Sequence, residues 1–217
     1  MSQYLMKARE PISSFSHMIG AVVFAIATIL LIAKALFVGS WSLEILVGVI
    51  VFGISLVALY SASAIYHYSN GSKHKILVLR KLDHSMIYVL IAGSYTPILL
   101  KFMAQREGLI FVSVMWLCAA VGVVIKLCWF NAPRWLQTVL YIAMGWAVLF
   151  DISIFKEMSG IALFLLVAGG ISYTIGGIIY IVKKPNVSVK FGFHELFHIF
   201  ILIGSAFHYL LELFYVA

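Results

Sequence analysis

Long apolar stretches recur along this chain and constrain its fold more than any other feature of the sequence. Seven of them are separated by segments rich in charge, Gly, Pro or Asn, and each has the length of about 20 residues that a membrane-spanning helix needs. They lack the alternation of apolar and polar residues that strands of a membrane β-barrel show. The predicted spans are 15–37, 43–67, 83–103, 108–129, 135–153, 160–182 and 194–215.

The composition supports an all-α integral membrane protein and excludes several soluble classes. Hydrophobic residues make up 64% of the chain and charged residues 11%, whereas a soluble domain is about half apolar and about a quarter charged. The net charge of +7 does not indicate nucleic-acid binding, because the basic residues lie in short clusters between apolar stretches. Residues 1–217 are therefore predicted to form a single seven-helix domain in contact with membrane lipids, with its oligomeric state left open.

Lysine and arginine are distributed unevenly between the two sides of the predicted bundle. Of the 15 basic residues, 11 fall on the side of the N-terminal tail and of the second, fourth and sixth connecting segments, Lys190 among them. Because basic residues are enriched in cytoplasmic loops, the N-terminus is predicted to be cytoplasmic and, with seven spans, the C-terminus outside. Asp151 and Glu212 are then expected near the outer helix ends, within reach of water.

Ionisable residues collect at the predicted cytoplasmic ends of several spans. His67 ends the second span, Asp83 begins the third, and His194 and His198 begin the seventh, while His17 lies in the same layer near the start of the first. Ionisable groups inside membrane spans are costly and are usually retained for function. The sequence therefore predicts one polar site near the cytoplasmic surface, built from separate helices.

The spacing of His194 and His198 places their imidazoles on one helix face, one turn apart. Such a pair can bind one metal ion, and catalytic zinc sites combine three protein ligands with a water molecule. His67 is the candidate third ligand. Asp83 is expected to hold the bound water or to orient a ligand, and Ser63, one turn from His67, is expected to hydrogen-bond within the site.

Residues 194–198 also match the pattern H-E-x-x-H, in which two histidines bind zinc and a glutamate is the base of a metalloprotease. One extension of that pattern needs a histidine at position 204, where this chain has Gly204. An intramembrane metalloprotease with Glu195 as base is therefore a minor alternative. His208 lies about 15 Å along the helix from His198, too far to bind the same ion, and is expected to hydrogen-bond a neighbouring helix.

Three separated motifs carry a resemblance to a known family. They are Ser63-x-x-x-His67, then Leu82-Asp83-His84-Ser85 leading into Gly93-Ser94-Tyr95-Thr96-Pro97, and then His194-x-x-x-His198 followed by Gly204-Ser205-x-x-His208. Together they resemble the bacterial hemolysin III branch of the progestin and adiponectin receptor (PAQR) family. That family belongs to the wider ceramidase-like group of seven-helix membrane hydrolases, and the resemblance covers nearly the whole chain.

The resemblance implies a fold, a site and a location. The fold is a seven-helix bundle with a cytoplasmic N-terminus, in the bacterial inner membrane. The site is zinc held by His67, His194 and His198, with Asp83 reaching the metal through water and Ser63 in the same motif set. The receptor branch is linked to ceramide hydrolysis, and the bacterial branch is named for red-cell lysis and pore formation.

Two classes of function follow from these residues. One is a zinc-dependent hydrolase of lipid amides or esters, in which the metal lowers the pKa of water to about 7 and polarises a carbonyl group, Asp83 is the general base and Ser63 steadies the oxyanion. The other is a non-enzymatic pore-forming hemolysin or membrane sensor with structural zinc. Three histidines plus water favour chemistry, whereas a fourth protein ligand favours a structural site; imidazoles also suit Fe or Ni.

Overall fold

The computed structural model describes residues 7–38, 42–129, 132–188 and 191–217, and every regular element within these ranges is helical. Lys190, counted above among the basic residues, lies outside the described residues. The helices are α1 (Pro11–Phe37), α2 (Leu43–Tyr68), α3 (Lys73–Phe102), α4 (Gln105–Cys128), α5 (Arg134–Gly145), α6 (Ile154–Glu157), α7 (Gly160–Val182) and α8 (Phe193–Leu211). A 3₁₀ turn (Ala147–Phe150) follows α5, and a π-helical turn (Glu212–Val216) continues α8.

Six of the helices are long and apolar enough to cross a membrane. They are α1 to α4, α7, and α8 together with its π-helical turn. Their bounds follow five of the seven predicted spans closely, and α3 overlaps a sixth but begins ten residues earlier. The prediction of an integral membrane helical bundle is thus confirmed. The remaining predicted span, 135–153, does not form one long helix.

The predicted span 135–153 is not one continuous helix. The helix α5 ends at Gly145 after 12 residues, and the 3₁₀ turn and the one-turn helix α6 follow it. A side chain of α3 stabilises the break: the hydroxyl of Tyr95 donates to the carbonyl of Gly145 and accepts from the N–H of Val148, each at 2.8 Å. The length of an apolar stretch cannot predict this break, because the break depends on Tyr95, which is distant in sequence.

The helix α3 begins well before the predicted span that starts at residue 83. The Oγ atom of Ser72 accepts a hydrogen bond from the N–H of Lys75 and caps the first turn. The basic residues that follow are good helix formers. The 30 residues of α3 extend about 45 Å, longer than the hydrocarbon core of about 30 Å, so the first turns of α3 continue the helix into the polar layer.

Glycines allow the first three helices to approach closely. A Cβ atom added at Gly53 of α2 would lie 2.8 Å from the Cβ of Thr28 on α1, and one added at Gly48 would lie 2.9 Å from the Cα of Pro97 on α3. Small residues have this role in membranes because the hydrophobic effect does not drive helices together in lipid. Van der Waals contacts between closely packed helices stabilise the association instead.

Side chains from α1 bring the ends of three helices together at one end of the bundle. Near the start of α1, the hydroxyl of Ser14 donates to the carbonyl of Ala64 in the last turns of α2, at 3.0 Å. One residue earlier, the hydroxyl of Ser13 donates to Glu195 in the first turn of α8, at 2.9 Å. The start of α1, the end of α2 and the start of α8 therefore meet, which places the predicted site residues in one region.

Replacing Gly53 by Ala is expected to destabilise the protein. The added methyl group would collide with the β-branched side chain of Thr28, whose Cβ cannot rotate away, and overpacking of this kind costs about 1–3 kcal/mol. Thermal unfolding in detergent micelles would measure the loss. The matched control is Gly160→Ala at the start of α7, where nothing lies within 4 Å of the added atom. Equal melting temperatures for the two variants would contradict the close packing.

Candidate metal centre

Three histidines from two helices converge at the end of the bundle where α1 begins. His67 is in the last turn of α2, and His194 and His198 are in the first turns of α8. One ring nitrogen from each lies within 4.8 Å of the other two. His67 and His198 are 1% and 2% exposed, so their rings are held by protein and away from bulk water. We call these three residues the histidine cluster.

The donor set and spacing of the histidine cluster fit a tetrahedral metal ion. The Nε2 atoms of His67 and His194 are 3.3 Å apart, and two imidazole nitrogens on one zinc ion at about 2.0–2.1 Å would lie roughly 3.3–3.4 Å apart. The Nδ1 atom of His198 is buried without a hydrogen-bond partner among the described residues. A buried nitrogen lone pair without a partner is costly, and a cation would satisfy it.

Glu10 holds the ring of His67 in place from the segment that precedes α1. Its carboxylate contacts the Nδ1 atom of His67, and its backbone N–H donates to the carbonyl of His67 at 3.0 Å. With Nδ1–H donated to a carboxylate, the lone pair of His67 is on Nε2, the atom that faces His194. Carboxylates that bond the far nitrogen of a ligating histidine in this way fix its tautomer and raise its basicity.

The environment of Glu10 keeps this carboxyl group ionised. Partial burial acts to raise its pKa, but the hydrogen bond with His67 and the positive charge of Arg9 outweigh burial, so the pKa of Glu10 is lowered. Arg9 contacts the other carboxylate oxygen at 3.3 Å and also lies over the ring of Tyr66, 4.5 Å from its centroid. Arg9 thereby fixes the segment that carries Glu10 to the end of α2.

His17 of α1 lies directly against the histidine cluster. Its ring stacks on that of His198, with centroids 3.6 Å apart and planes inclined by 9°. Both ring nitrogens of His17 are buried without a hydrogen-bond partner among the described residues. The stack with His198 places His17 in the site.

Asp83 and Ser63 line the same internal cavity as His194 and His198 of the histidine cluster. This cavity, of about 390 Å³, is lined at one end by His17, Ser63, Asp83, His194 and His198. The carboxylate of Asp83 contacts the Nδ1 atom of His84 at 3.3 Å, and the Nε2 atom of His84 lies 3.3 Å from the hydroxyl of Tyr180.

The rest of the cavity is mainly apolar. It continues between α3, α5, α7 and α8 as far as Trp146, Phe155 and His208. His194 and His208 are separated by 14 residues of α8, which is about 21 Å of helix. The polar site therefore lies at the end of a long apolar chamber inside the bundle.

Glu195 does not take the position of a catalytic base. One of its carboxylate oxygens accepts from the N–H of Gly192 and the other from the hydroxyl of Ser13, each at 2.9 Å. The carboxylate thus caps the N-terminus of α8 and ties it to α1. This use of both oxygens explains the glutamate of the H-E-x-x-H string structurally and argues against the metalloprotease alternative.

Together, the fold and the site define a class: an α-helical integral membrane protein with a buried histidine cluster at one end of its bundle. The family model described as Haemolysin-III related matches residues 5–209. The chain belongs to this family.

Similar proteins extend along nearly the whole chain. A hemolysin-3 homolog from Bacillus subtilis (strain 168) is 36% identical over 208 residues, which cover 95% of this chain and 93% of that protein. Hemolysin-3 from Bacillus cereus is 34% identical over 218 residues, covering 100% and 94%. The adiponectin receptor protein of Drosophila melanogaster is 25% identical over 214 residues, covering 90% and 48%. This weaker similarity supports the relationship to the progestin and adiponectin receptor family.

Glu10 is the site residue that the sequence analysis missed. It lies outside every apolar stretch, so a search for ionisable groups inside spans passes over it. One local signal was available: Glu10 is the only acidic residue before the first span, and it directly precedes Pro11, a residue that favours the first turn of a helix. That signal marks a helix start, and only the fold shows that this start lies beside His67.

Replacing His198 by Ala is expected to lower the divalent metal bound per purified chain from about one to a small fraction. The substitution removes one of three ligands and leaves a pair that holds metal far more weakly. Elemental analysis by mass spectrometry after dialysis against metal-free buffer measures the content. The control is His74→Ala, which alters an exposed histidine in the first turn of α3. Equal metal content in the two variants would contradict a site at the histidine cluster.

Replacing Glu10 by Ala is expected to weaken metal binding by about 10–100-fold, the usual effect of removing a carboxylate that orients a ligating histidine. The free ring of His67 could then adopt either tautomer. Competition with a chelator of known affinity measures the change. Glu157→Ala, at an exposed glutamate of α6, is the control and should bind as the unaltered protein does. A Glu10→Ala affinity equal to that control would show that Glu10 does not orient the ligand.

Proposed function

We propose that this protein is a zinc-dependent hydrolase of lipid amides or esters, with the histidine cluster as its metal site. One observation carries the proposal: His194 and His198 of the histidine cluster, the carboxylate of Asp83 and the hydroxyl of Ser63 line the polar end of a long apolar cavity. An ion that only joined helices would need no such chamber. Three histidines leave a tetrahedral metal with one position for water or substrate, as in catalytic zinc sites.

The shape and lining of the cavity favour a substrate with a long hydrocarbon chain. Its volume of about 390 Å³ is in the range of about 300–1,000 Å³ typical of ligand sites. Apolar side chains of α3, α5, α7 and α8 form most of its wall. An acyl chain would bury its methylene groups there, at about 0.8 kcal/mol each, and would present its carbonyl group at the end near His194 and Asp83.

The residues of this chain have distinct roles in such a reaction. A bound zinc ion would lower the pKa of water and polarise the substrate carbonyl. Glu10 keeps His67 in the ligating tautomer, and the contact of His84 Nδ1 with the carboxylate of Asp83, at 3.3 Å, orients that carboxylate. Asp83 accepts a proton as the nucleophile forms and delivers it to the leaving amine or alcohol. The hydroxyl of Ser63 donates a hydrogen bond to the developing oxyanion.

Seven crossings and a cytoplasmic N-terminus in the bacterial inner membrane complete the proposal. Arg134, at the start of α5, lies 4.5 Å from the ring centroid of Tyr180 near the end of α7. The start of α7 at Gly160 is a full helix length away, which supports a crossing by the chain between residues 134 and 160 even though its helices are short. The excess of lysine and arginine on the side of the histidine cluster supports a cytoplasmic location for that side.

Membrane lysis is a second candidate, favoured by the names of the two Bacillus relatives. In this mode the metal would join helices structurally, and oligomers would form the pore, because the cavity within one chain is mainly apolar. A sensor with structural zinc would likewise need no turnover. Release of a trapped dye from vesicles containing the protein, without lipid cleavage, would favour lysis.

The hydrolase is tested with the zinc-loaded protein in detergent and a ceramide with a labelled acyl chain, followed by release of free fatty acid. Asp83→Asn is expected to lower kcat by at least about 100-fold, the usual contribution of a general base, while retaining the bound zinc. Asp151→Asn is the matched control, because Asp151 lies at the opposite end of the bundle and bonds the N–H of Ser153.

The outcomes separate the parts of the proposal. Full activity of Asp83→Asn would remove Asp83 from the mechanism. If the zinc-loaded protein releases no more fatty acid than His198→Ala does, across amide and ester lipids, the hydrolase proposal fails and a structural role for the metal replaces it.

A further inference from the structure

Arg134 lies just beyond the polar end of the cavity, at the start of α5. Gln137 and Thr138, three and four residues further along α5, line the cavity. Residues three and four apart share one face of a helix, so Arg134 continues the cavity-lining face of α5 by one turn toward the end of the bundle. A ligand that extended out of the cavity along α5 would therefore meet Arg134.

Aromatic rings hold the side chain of Arg134 close to the histidine cluster. The Cζ atom of its guanidinium group lies 4.5 Å from the ring centroid of Tyr180 and 5.9 Å from that of Phe193. Tyr180 lines the cavity, and its ring centroid is 5.9 Å from that of His194. Phe193 directly precedes His194 in α8. Two separate contacts thus place the charge of Arg134 one side chain away from a residue of the histidine cluster.

The charge of Arg134 has no carboxylate partner among the described residues. The carboxylates at this end of the bundle, those of Glu10, Asp83 and Glu195, contact other groups. The Nη1 atom of Arg134 is buried and also has no hydrogen-bond partner in the described part of the chain. An unsatisfied donor of this kind is costly, so an anion from outside the protein would be favoured here.

Two further features add positive potential beside Arg134. No side chain of the described residues caps the start of α5, so the first N–H groups of this helix and the positive end of its dipole favour an anion there. On α4, Lys126 is 4% exposed and donates a hydrogen bond to the Oε1 atom of Gln137 at 2.6 Å. A second cation therefore lies against the first turn of α5. Basic pockets between membrane helices bind lipid head groups.

The order of these groups along the bundle matches the order of groups in a glycerophospholipid. The apolar cavity suits a hydrocarbon chain, His194 and Asp83 lie at its polar end, and Arg134 lies one turn beyond. In a glycerophospholipid the ester carbonyl lies between the acyl chain and the phosphate group, and the planar fork of an arginine binds phosphate oxygens in pairs. A ceramide or a diacylglycerol has the chain and the carbonyl but would leave Arg134 without an anion.

We propose that Arg134 binds the phosphate group of a glycerophospholipid substrate, so that the protein cleaves acyl esters of such lipids in preference to neutral lipids. The inference rests on the proposed function and names its substrate class. In the cleavage, the oxygen of water bonds to the acyl carbon and the acyl C–O bond breaks. The products are a fatty acid and a lysophospholipid, whose new hydroxyl group takes the proton that Asp83 accepted from water. Arg134 contacts no reacting atom and determines specificity.

The first test measures binding without turnover. The probe is a tritiated phosphatidylglycerol with two ether-linked chains, which has the phosphate group but no ester to cleave, and the matching diether glycerol is the neutral probe. Scintillation proximity with immobilised full-length protein measures both affinities. Arg134→Met is expected to weaken binding of the phosphate probe by at least about tenfold, a usual contribution of a hydrogen bond to a charged group, and to leave the neutral probe unchanged.

The matched control is Arg106→Met, which alters an exposed arginine in the first turn of α4, at the opposite end of the bundle. It should bind both probes as the unaltered protein does. The metal content of Arg134→Met reports its folding; if that variant is not recovered folded, Arg134→Gln takes its place with the same expected loss.

The second test measures release of fatty acid by the zinc-loaded protein from phosphatidylglycerol and from diacylglycerol with the same chains. The phospholipid is expected to have the lower KM. Arg134→Met should raise that KM by the factor found for binding and leave kcat unchanged, because removal of an interaction made equally in the ground and transition states affects KM alone. The values for diacylglycerol should stay the same.

The outcomes separate this inference from the proposed function. If no lipid is cleaved, the hydrolase fails, whereas weaker binding of the phosphate probe by Arg134→Met would still support the phosphate site. Cleavage of diacylglycerol in preference to phosphatidylglycerol would keep the hydrolase and overturn the inference. Equal affinity of Arg134→Met and Arg106→Met for the phosphate probe would overturn it as well. Displacement of that probe by an equal concentration of inorganic phosphate would assign the site to free phosphate and overturn the lipid assignment.

Discussion

Polar groups buried in a bilayer must satisfy one another, because the hydrocarbon core contains no water to bond with them. In this protein that constraint operates where α1, α2 and α8 meet. Glu10 holds His67, Ser13 holds Glu195, and His17 stacks on His198. The contacts that join the helix ends are also the contacts that aim three imidazoles at one point. Assembly of the bundle and assembly of the site are therefore one event.

Much of the fold and part of the site could be predicted from the sequence. The length of the apolar stretches predicted the six helices that are long and apolar enough to cross a membrane, because the thickness of the bilayer sets that length directly. The placement of His67, His194 and His198 at matching helix ends predicted their convergence. The contact of Glu10 with His67 could not be predicted, because it depends on how the segment before α1 folds back. The burial of Glu212, which is 0% exposed and not within reach of water as expected, could not be predicted either, because it depends on how α1 and α3 pack against the turn that this residue begins.

The polar residues of α8 divide by depth, and this division places the proposed chemistry at one end of the bundle. His194 and His198 lie at one end with the carboxylate of Asp83 nearby, where a hydrolytic reaction would take place. His208 and Glu212 lie toward the other end, where no metal donor set accompanies them among the described residues. The cavity that joins the two regions is mainly apolar, so it suits a hydrocarbon chain.

The break after Gly145 has a consequence for the surrounding lipid. The 12 residues of α5 extend about 18 Å, and the four residues of the 3₁₀ turn add about 8 Å, which together fall short of the hydrocarbon thickness of about 30 Å. On the proposal that this part of the chain crosses the bilayer, Phe150, 91% exposed, ends a short crossing. A bilayer adapts to such a mismatch by thinning locally, at a cost of fractions of a kcal/mol per ångström. On this side of the protein the bilayer would be compressed, and the acyl chains of the adjacent lipids would be disordered.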